Sequence, residues 1–321
     1  MNRRRIAIGI SSVSGLVIVA AGAMNMFSSG DATSGRGHTV NLHAAPVAAV
    51  TAAGTATGRS GTAQVDTLVT MTTPAVPAHG TIPAAPAKTA TMHGTGLFDF
   101  GKQIGRIDLT LANRSLQEVL TPTALYLHSA APAPGAAAPA KGWSRVDVAT
   151  SSDGNLVSGG ATDPAMAFAM LAGAQHDVKY VGQDRIRGEP VVHYHGTLDL
   201  RQAAAAAPTS AGGTGTGNVT AADAAADAAD AAADKKALTN AARAFTTTKV
   251  PFDAYLDAQG RLRRFVAVLS FTMPGPAKAV AQVTSATELF GFGTPVTVVT
   301  PSAAPATTPA VHPSSPMGAR K

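Results

Sequence analysis

The chain has 321 residues, 45% of them hydrophobic, with 25 basic residues, 19 acidic ones and no cysteine. That length holds one large domain or two small ones, but much of the apolar count is alanine in Ala/Gly/Thr/Pro stretches, so the folded part is shorter than the chain. The missing cysteine excludes disulfides, thiolate metal sites and a cysteine nucleophile. The formal charge of +6 does not mark a nucleic-acid binder, because Arg3, Arg4, Arg5, Arg320 and Lys321 lie at the two ends and the remaining 20 basic residues face 19 acidic ones.

In chain order, three arginines precede an uncharged run over 6–27. A basic flank followed by an apolar segment is the order of an export signal, and its length of roughly 20 residues is also near that of a membrane-spanning helix. Cleavage and retention as an anchor are both open; in either case the bulk of the chain emerges outside the cytoplasmic membrane. Residues 28–59 are Gly, Ser, Thr and Ala with few large side chains, which reads as a flexible linker.

The domain is expected over 60–300. Val65, Leu68, Val69 and Met71 mark a first strand over 60–73, closed by Pro74 and a Pro/Ala/Gly loop to 87. Runs over 90–100 and 104–111 alternate about Gly101 and predict a hairpin. A further strand is expected over 117–128, interrupted or placed at an edge by Pro122, and a short one over 143–148 follows a Pro/Ala loop at 130–140. This meander favours an antiparallel sheet.

Asp163-Pro164 opens the first helix, with Asp163 as N-cap, Pro164 at the first helical position and Gly173 as stop. Met166 and Met170 share one face, Phe168 and Leu171 another, and a helix apolar nearly all round should be buried. Strands are expected over 176–181 and 190–200, about a turn at Arg187-Gly188. A long Ala-rich helix over 220–245 carries Asp223, Asp227, Asp230 and Asp234 on one stripe, which reads as a solvated face, since a calcium loop needs a central Gly and a final Glu.

The clearest element is the hairpin over 249–271. Phe252, Ala254 and Leu256 share one face, Phe265, Ala267, Leu269 and Phe271 match them on the second strand, and Gly260 supplies a left-handed turn residue next to a bulge. Its apolar face requires a larger sheet and a cover. Last strands are expected over 280–290 and 294–299, then a disordered tail over 301–321.

His193 and His195 share a strand face with Thr197 and Asp199, opposite apolar Val192, Tyr194 and Leu198. They therefore lie on the solvated side with no third ligand at a suitable spacing, and no metal is expected. Asn113-Arg-Ser115 and Asn218-Val-Thr220 fit a glycosylation pattern too short to decide anything. The chain carries no nucleophile elbow, no phosphate loop and no zinc-protease helix, and its carboxylates mostly alternate outward. Neither an enzyme nor a cofactor is expected.

Residues 94–101 (GTGLFDFG), 182–194 (GQDRIRGEPVVHY), 250–264 (VPFDAYLDAQGRLRR) and 290–296 (FGFGTPV) resemble, in order, the actinobacterial envelope lipoproteins of the LolA/LppX-like superfamily, LppX/LprG type. The resemblance implies an α+β fold: a strongly curved antiparallel β half-barrel with helices covering the concave face, over a cavity that accepts acyl chains in several members. The lipobox cysteine of such lipoproteins is missing here. On this resemblance the chain is expected to be a non-catalytic extracytoplasmic binding protein for a lipid or other hydrophobic small molecule. Met166, Phe168, Met170 and Leu171 are its cavity candidates, with plain core packing as their alternative. The cytoplasmic membrane is a partner through the N-terminal segment if that stays uncleaved. The alternative function is an envelope sensor or scaffold that binds another protein and has a filled core.

Overall fold

The computed structural model describes residues 45–80, 83–111, 114–129, 142–151, 153–154, 156, 163–206, 221–273 and 278–302. The export segment, the linker up to residue 44, the loop at 130–140, Asn113, Asn218 and the tail from 303 lie outside the described residues. So do the side chains of Asp223, Asp227 and Asp230.

Eleven strands form one open sheet: β1 Thr62–Thr73, β2 Lys88–Asp99, β3 Ile104–Leu111, β4 Arg114–Leu120, β5 Ala124–Ser129, β6 Ser144–Asp147, β7 Lys179–Ile186, β8 Glu189–Asp199, β9 Lys249–Leu256, β10 Leu262–Thr272 and β11 Val280–Phe290. Their spatial order is β6-β5-β4-β3-β2-β1-β11-β10-β9-β8-β7. Every pairing is antiparallel. Two meanders thus meet at β1 and β11, where Gln64 to Thr72 pair with Phe290 to Gln282. The sheet is the curved half-barrel of an α+β fold.

The period-2 pattern sets which side is buried. On β1, Ala63, Val65 and Val69 are buried, and on β9 and β10 so are Phe252, Ala254, Leu256, Phe265, Ala267 and Leu269. The β9–β10 turn has Gly260 at φ 75°, and the register shifts between Leu262 and Arg264, as the turn chemistry predicts. Arg187 and Gly188 have φ 52° and 86° and close the β7–β8 hairpin through a two-residue turn that needs both values positive.

Four helices cover the concave side: α1 Pro46–Gly58, α2 Pro164–Leu171, α3 Leu200–Ala206 and α4 Ala221–Ala244. They pack in chain order, α1 on α2, α2 on α3 and α3 on α4, and α4 then seats on the 3-10 turn Val148–Thr150 after β6. None of the described helices is long and apolar enough to cross a membrane.

Several expectations are corrected. The linker expected over 28–59 is helical from Pro46, because Ala49, Val50 and Ala53 find a core to enter, and tertiary burial outweighs the weak propensity of a Thr- and Gly-containing segment. The strand expected over 117–128 is two strands, β4 and β5, with Pro122 in the turn between them. The segment 294–299 forms no ladder; Val298, like Trp143, packs on the cluster of Val119, Ala124 and Tyr126 instead. β7 runs from Lys179 to Ile186, further than the expected 176–181. Helix α3 was not expected: Asp199 caps it, its carboxylate accepting from the Arg201 N–H at 2.9 Å, but the strand expected over 190–200 absorbed that capping residue.

Candidate functional site

The candidate residues sit on α2, which forms as the sequence predicts. Asp163 is the N-cap and its carboxylate accepts from the Ala165 N–H at 2.8 Å, with Pro164 in the first turn. Burial raises the Asp163 carboxyl to about 6, against the pull of the backbone hydrogen bonds from Ala165 and Met166.

Met166, Met170 and Leu171 are at most 3% exposed and belong to the main core. Phe168 is half-buried and turns towards α1: its ring lies 5.3 Å from that of Phe100, and a Cβ at Gly54 would stand 2.9 Å from its own Cβ. The missing side chain at Gly54 therefore lets α1 close over α2. Thr57 fixes the far end of α1. Its hydroxyl donates to the Ala53 carbonyl at 2.6 Å and accepts from the Leu262 N–H at 2.8 Å, wholly out of water.

The remaining cover is made of small side chains. Ala203 and Ala204 of α3 and Ala237, Leu238 and Ala241 of α4 are buried, and a Cβ at Gly154 would meet the Ala237 carbonyl at 2.0 Å. Asn240 donates to the Ser151 carbonyl at 3.0 Å and ties α4 to the turn after β6. Across the sheet from α2 the inner face holds a carboxylate that sequence reading overlooked. Glu118 is wholly buried, paired in register with Ile107 and Leu127. The alternation Leu116, Glu118, Leu120 in β4 was the available signal.

The two histidines lie on the outer face, as their alternation predicts. His193 Nε2 and His195 Nδ1 stand 2.7 and 3.0 Å from one oxygen of Asp253 on the neighbouring strand, and His193 stacks on Tyr255 with ring centroids 4.3 Å apart. Asp253 was not legible as their partner, since 58 to 60 residues separate it from them. Among the described residues no group of three His, Cys, Asp or Glu is arranged to hold a metal ion.

Two hollows open on the surface. One, about 350 Å³, lies among Lys102, Ile104, Pro122, Val296 and Val298. The other, about 370 Å³, lies among Arg59, Ser60, Gln259, Arg261 and Phe292. None of the four α2 candidates lines either hollow.

No protein-family model and no curated protein matches the chain. Solved structures do. The chain is similar to LprF from Mycobacterium bovis at 14% identity and a TM-score of 0.32, over 80% of this chain and 97% of that one. It is similar to the lipoprotein LppX from Mycobacterium tuberculosis at 12% identity and a TM-score of 0.38, over 78% and 99%. A LolA superfamily protein from Nitrosomonas europaea follows at 10% identity and a TM-score of 0.28, over 75% and 92%. The likeness is one of fold, and it assigns no residue a role.

Proposed function

We propose that this protein is a non-catalytic extracytoplasmic binding protein for a lipid or other hydrophobic ligand, taken up between the concave face of the sheet and α2. The observation that carries this reading is the construction of the cover. Four helices, largely of alanine and other small residues, lie on an apolar sheet face, and two of the side chains that α2 sends into the core are methionines. A methionine re-packs at low cost, so an acyl chain can take the room that Met166 and Met170 occupy. Each methylene moved from water into that space contributes about 0.8 kcal/mol, with no bond made or broken. The extracytoplasmic location rests on the basic and apolar residues before 28. N-terminal sequencing of the mature protein tests cleavage, and an intact Met1 supports an anchor in the cytoplasmic membrane.

A second reading, an envelope scaffold with a filled core, is favoured by one observation: Met166, Met170 and Leu171 are already at most 3% exposed. Uptake of a fluorescent fatty acid, with native mass spectrometry of the purified protein, separates the two. A binding protein carries lipid or takes up the probe, and Met166→Trp with Met170→Trp lowers uptake while the sheet's circular dichroism persists. In a filled core the same pair costs about 1 to 3 kcal/mol of stability through overpacking, with no uptake to lose. Wild-type protein that neither carries lipid nor takes up the probe overturns the first reading.

A further inference from the structure

We propose that the open ends of β1 to β5 are a docking surface for a lipid bilayer that carries anionic headgroups. Each of these five strands brings one apolar side chain to the concave face near that end: Met71, Met92, Leu111, Leu116 and Leu127. All five pack against the core yet stay partly in water. At the other ends of β1, β2, β4 and β5, Ala63, Phe98, Leu120 and Leu125 are at most 3% exposed. The cover therefore closes one end of this half of the sheet and leaves the other open.

The five side chains form one stripe. Met92 and Leu111 are directly paired, and the other steps are diagonal across neighbouring strands, which long side chains bridge. Over five strands the stripe spans roughly 20 Å, and an exposed apolar run of that length marks an interaction surface. Its flank is basic. The sequence from Thr70 to Met92 and from Leu269 to Val283 contains no Asp or Glu. Lys88, opposite Thr73 on β2, and Lys278, two residues before β11, are exposed and join none of the ion pairs among the described residues. Val280, which opens β11 beside them, is 49% exposed.

Apolar side chains flanked by lysines with no carboxylate between them match an anionic bilayer, which presents negative headgroups above an acyl phase. A protein partner fits less well, because such interfaces are anchored by aromatic and arginine side chains, and the stretch from Thr70 to Met92 holds neither. The proposal rests on the hydrophobic-ligand reading for its purpose: the stripe is continuous with the core under the helices, so a docked domain offers an acyl chain a path from the bilayer to the concave face. Its test is separate. Uptake of a fatty acid from free solution involves no bilayer, and contact with a vesicle requires no uptake.

The chain has no cysteine, so one introduced thiol places a fluorophore at one point. Ala90→Cys reports the stripe, since Ala90 is exposed and directly opposite Met71, and Thr72→Cys, also exposed, is a second reporter at the same end. Thr123→Cys, exposed in the β4–β5 turn, reports the closed end. The labelled full-length chains are mixed with phosphatidylcholine vesicles, with and without phosphatidylglycerol, that contain a lipid-borne quencher. All three share the same N-terminal segment, so a difference among them reports which end of the domain meets the bilayer. The expected result is quenching at positions 90 and 72 but not at 123 when phosphatidylglycerol is present. Lys88→Glu with Lys278→Glu should raise the lipid concentration required by roughly tenfold or more. Equal quenching at both ends, quenching at neither, or a response indifferent to phosphatidylglycerol and to the charge reversal overturns the proposal, whether or not fatty acid is taken up.

Discussion

On the concave side of β9 and β10, Phe252, Ala254, Phe265, Ala267 and Leu269 are at most 4% exposed. On the convex side of the same strands Tyr255 and Arg264 keep part of their surface in water. They belong to a row, in register across five strands, of Asp66, Glu288, Arg264, Tyr255 and His193. The tip of the β7–β8 hairpin closes on that row. Arg187 donates through Nε to Glu288 at 2.9 Å, pairs with Asp66 through Nη2, and lies 3.8 Å over the Phe290 ring. The concave side is thus held by non-directional burial, and the convex side by directional contacts that water and salt weaken. Two faces one residue apart in period should respond to substitution on different scales.

The largest effect is expected at Phe252. It is 1% exposed, with its ring 6.0 Å from that of Phe265, so Phe252→Ala should cost about 3 to 5 kcal/mol in chemical denaturation. A cost no larger than that of a convex-side substitution would erase the contrast and show the space under the helices to be loosely filled.

The cover is tested at Thr57. Thr57→Val keeps the volume but leaves the Leu262 N–H without its acceptor, wholly out of water. A loss of about 1 to 3 kcal/mol is expected, together with faster hydrogen exchange in α1. Unchanged stability would detach α1 from the domain and return residues 46–58 to the role of a linker.

These two sites also show what was legible in the sequence. Phe252 declares itself because burial in a strand repeats every second residue, a local pattern any window displays. The same holds for Met166 and Met170 on a helix with a cap and a stop. Thr57 does not, because its value comes from a backbone N–H 205 residues away. Arg187 was placed in its turn by the Arg-Gly pair, yet its carboxylates lie 101 and 121 residues distant. Glu118 was hidden by a strand boundary: the expected single strand over 117–128 obscured the alternation that turns it inward. Period and punctuation carry the sheet; partnerships made by closing the fold carry the site.

On the convex side, Arg187→Ala should cost about 1 kcal/mol or less, because Arg187, Asp66 and Glu288 are all partly in water. The difference from wild type should shrink in high salt. Arg187→Lys should recover only part of it, since an ammonium does not reproduce the two-carboxylate fork or the stacking on Phe290. A loss as large as that of Phe252→Ala, insensitive to salt, would show the hairpin tip to be part of the core.

The smallest effect is expected from pH, and it belongs to the cover. Burial raises the Asp163 carboxyl to about 6 from an ordinary 3.8, so the folded protein holds this proton more tightly than the unfolded chain. Its contribution to stability is then fully present below about pH 4 and is lost as pH rises through about 6, which is opposite to the usual behaviour of a carboxylate in an ion pair. Asp163 keeps part of its surface accessible, which limits the size of the effect. Asp163→Asn caps the helix about as well and does not titrate. The wild-type thermal midpoint should therefore fall relative to that of the variant between pH 4 and pH 7, and the two should differ least at the acid end. α2 would then be held most firmly in acid and loosen towards neutrality, so uptake of an acyl probe beneath it should rise over the same interval. Midpoints that stay parallel across the range would place the carboxyl in ordinary contact with water and remove pH from the behaviour of the cover.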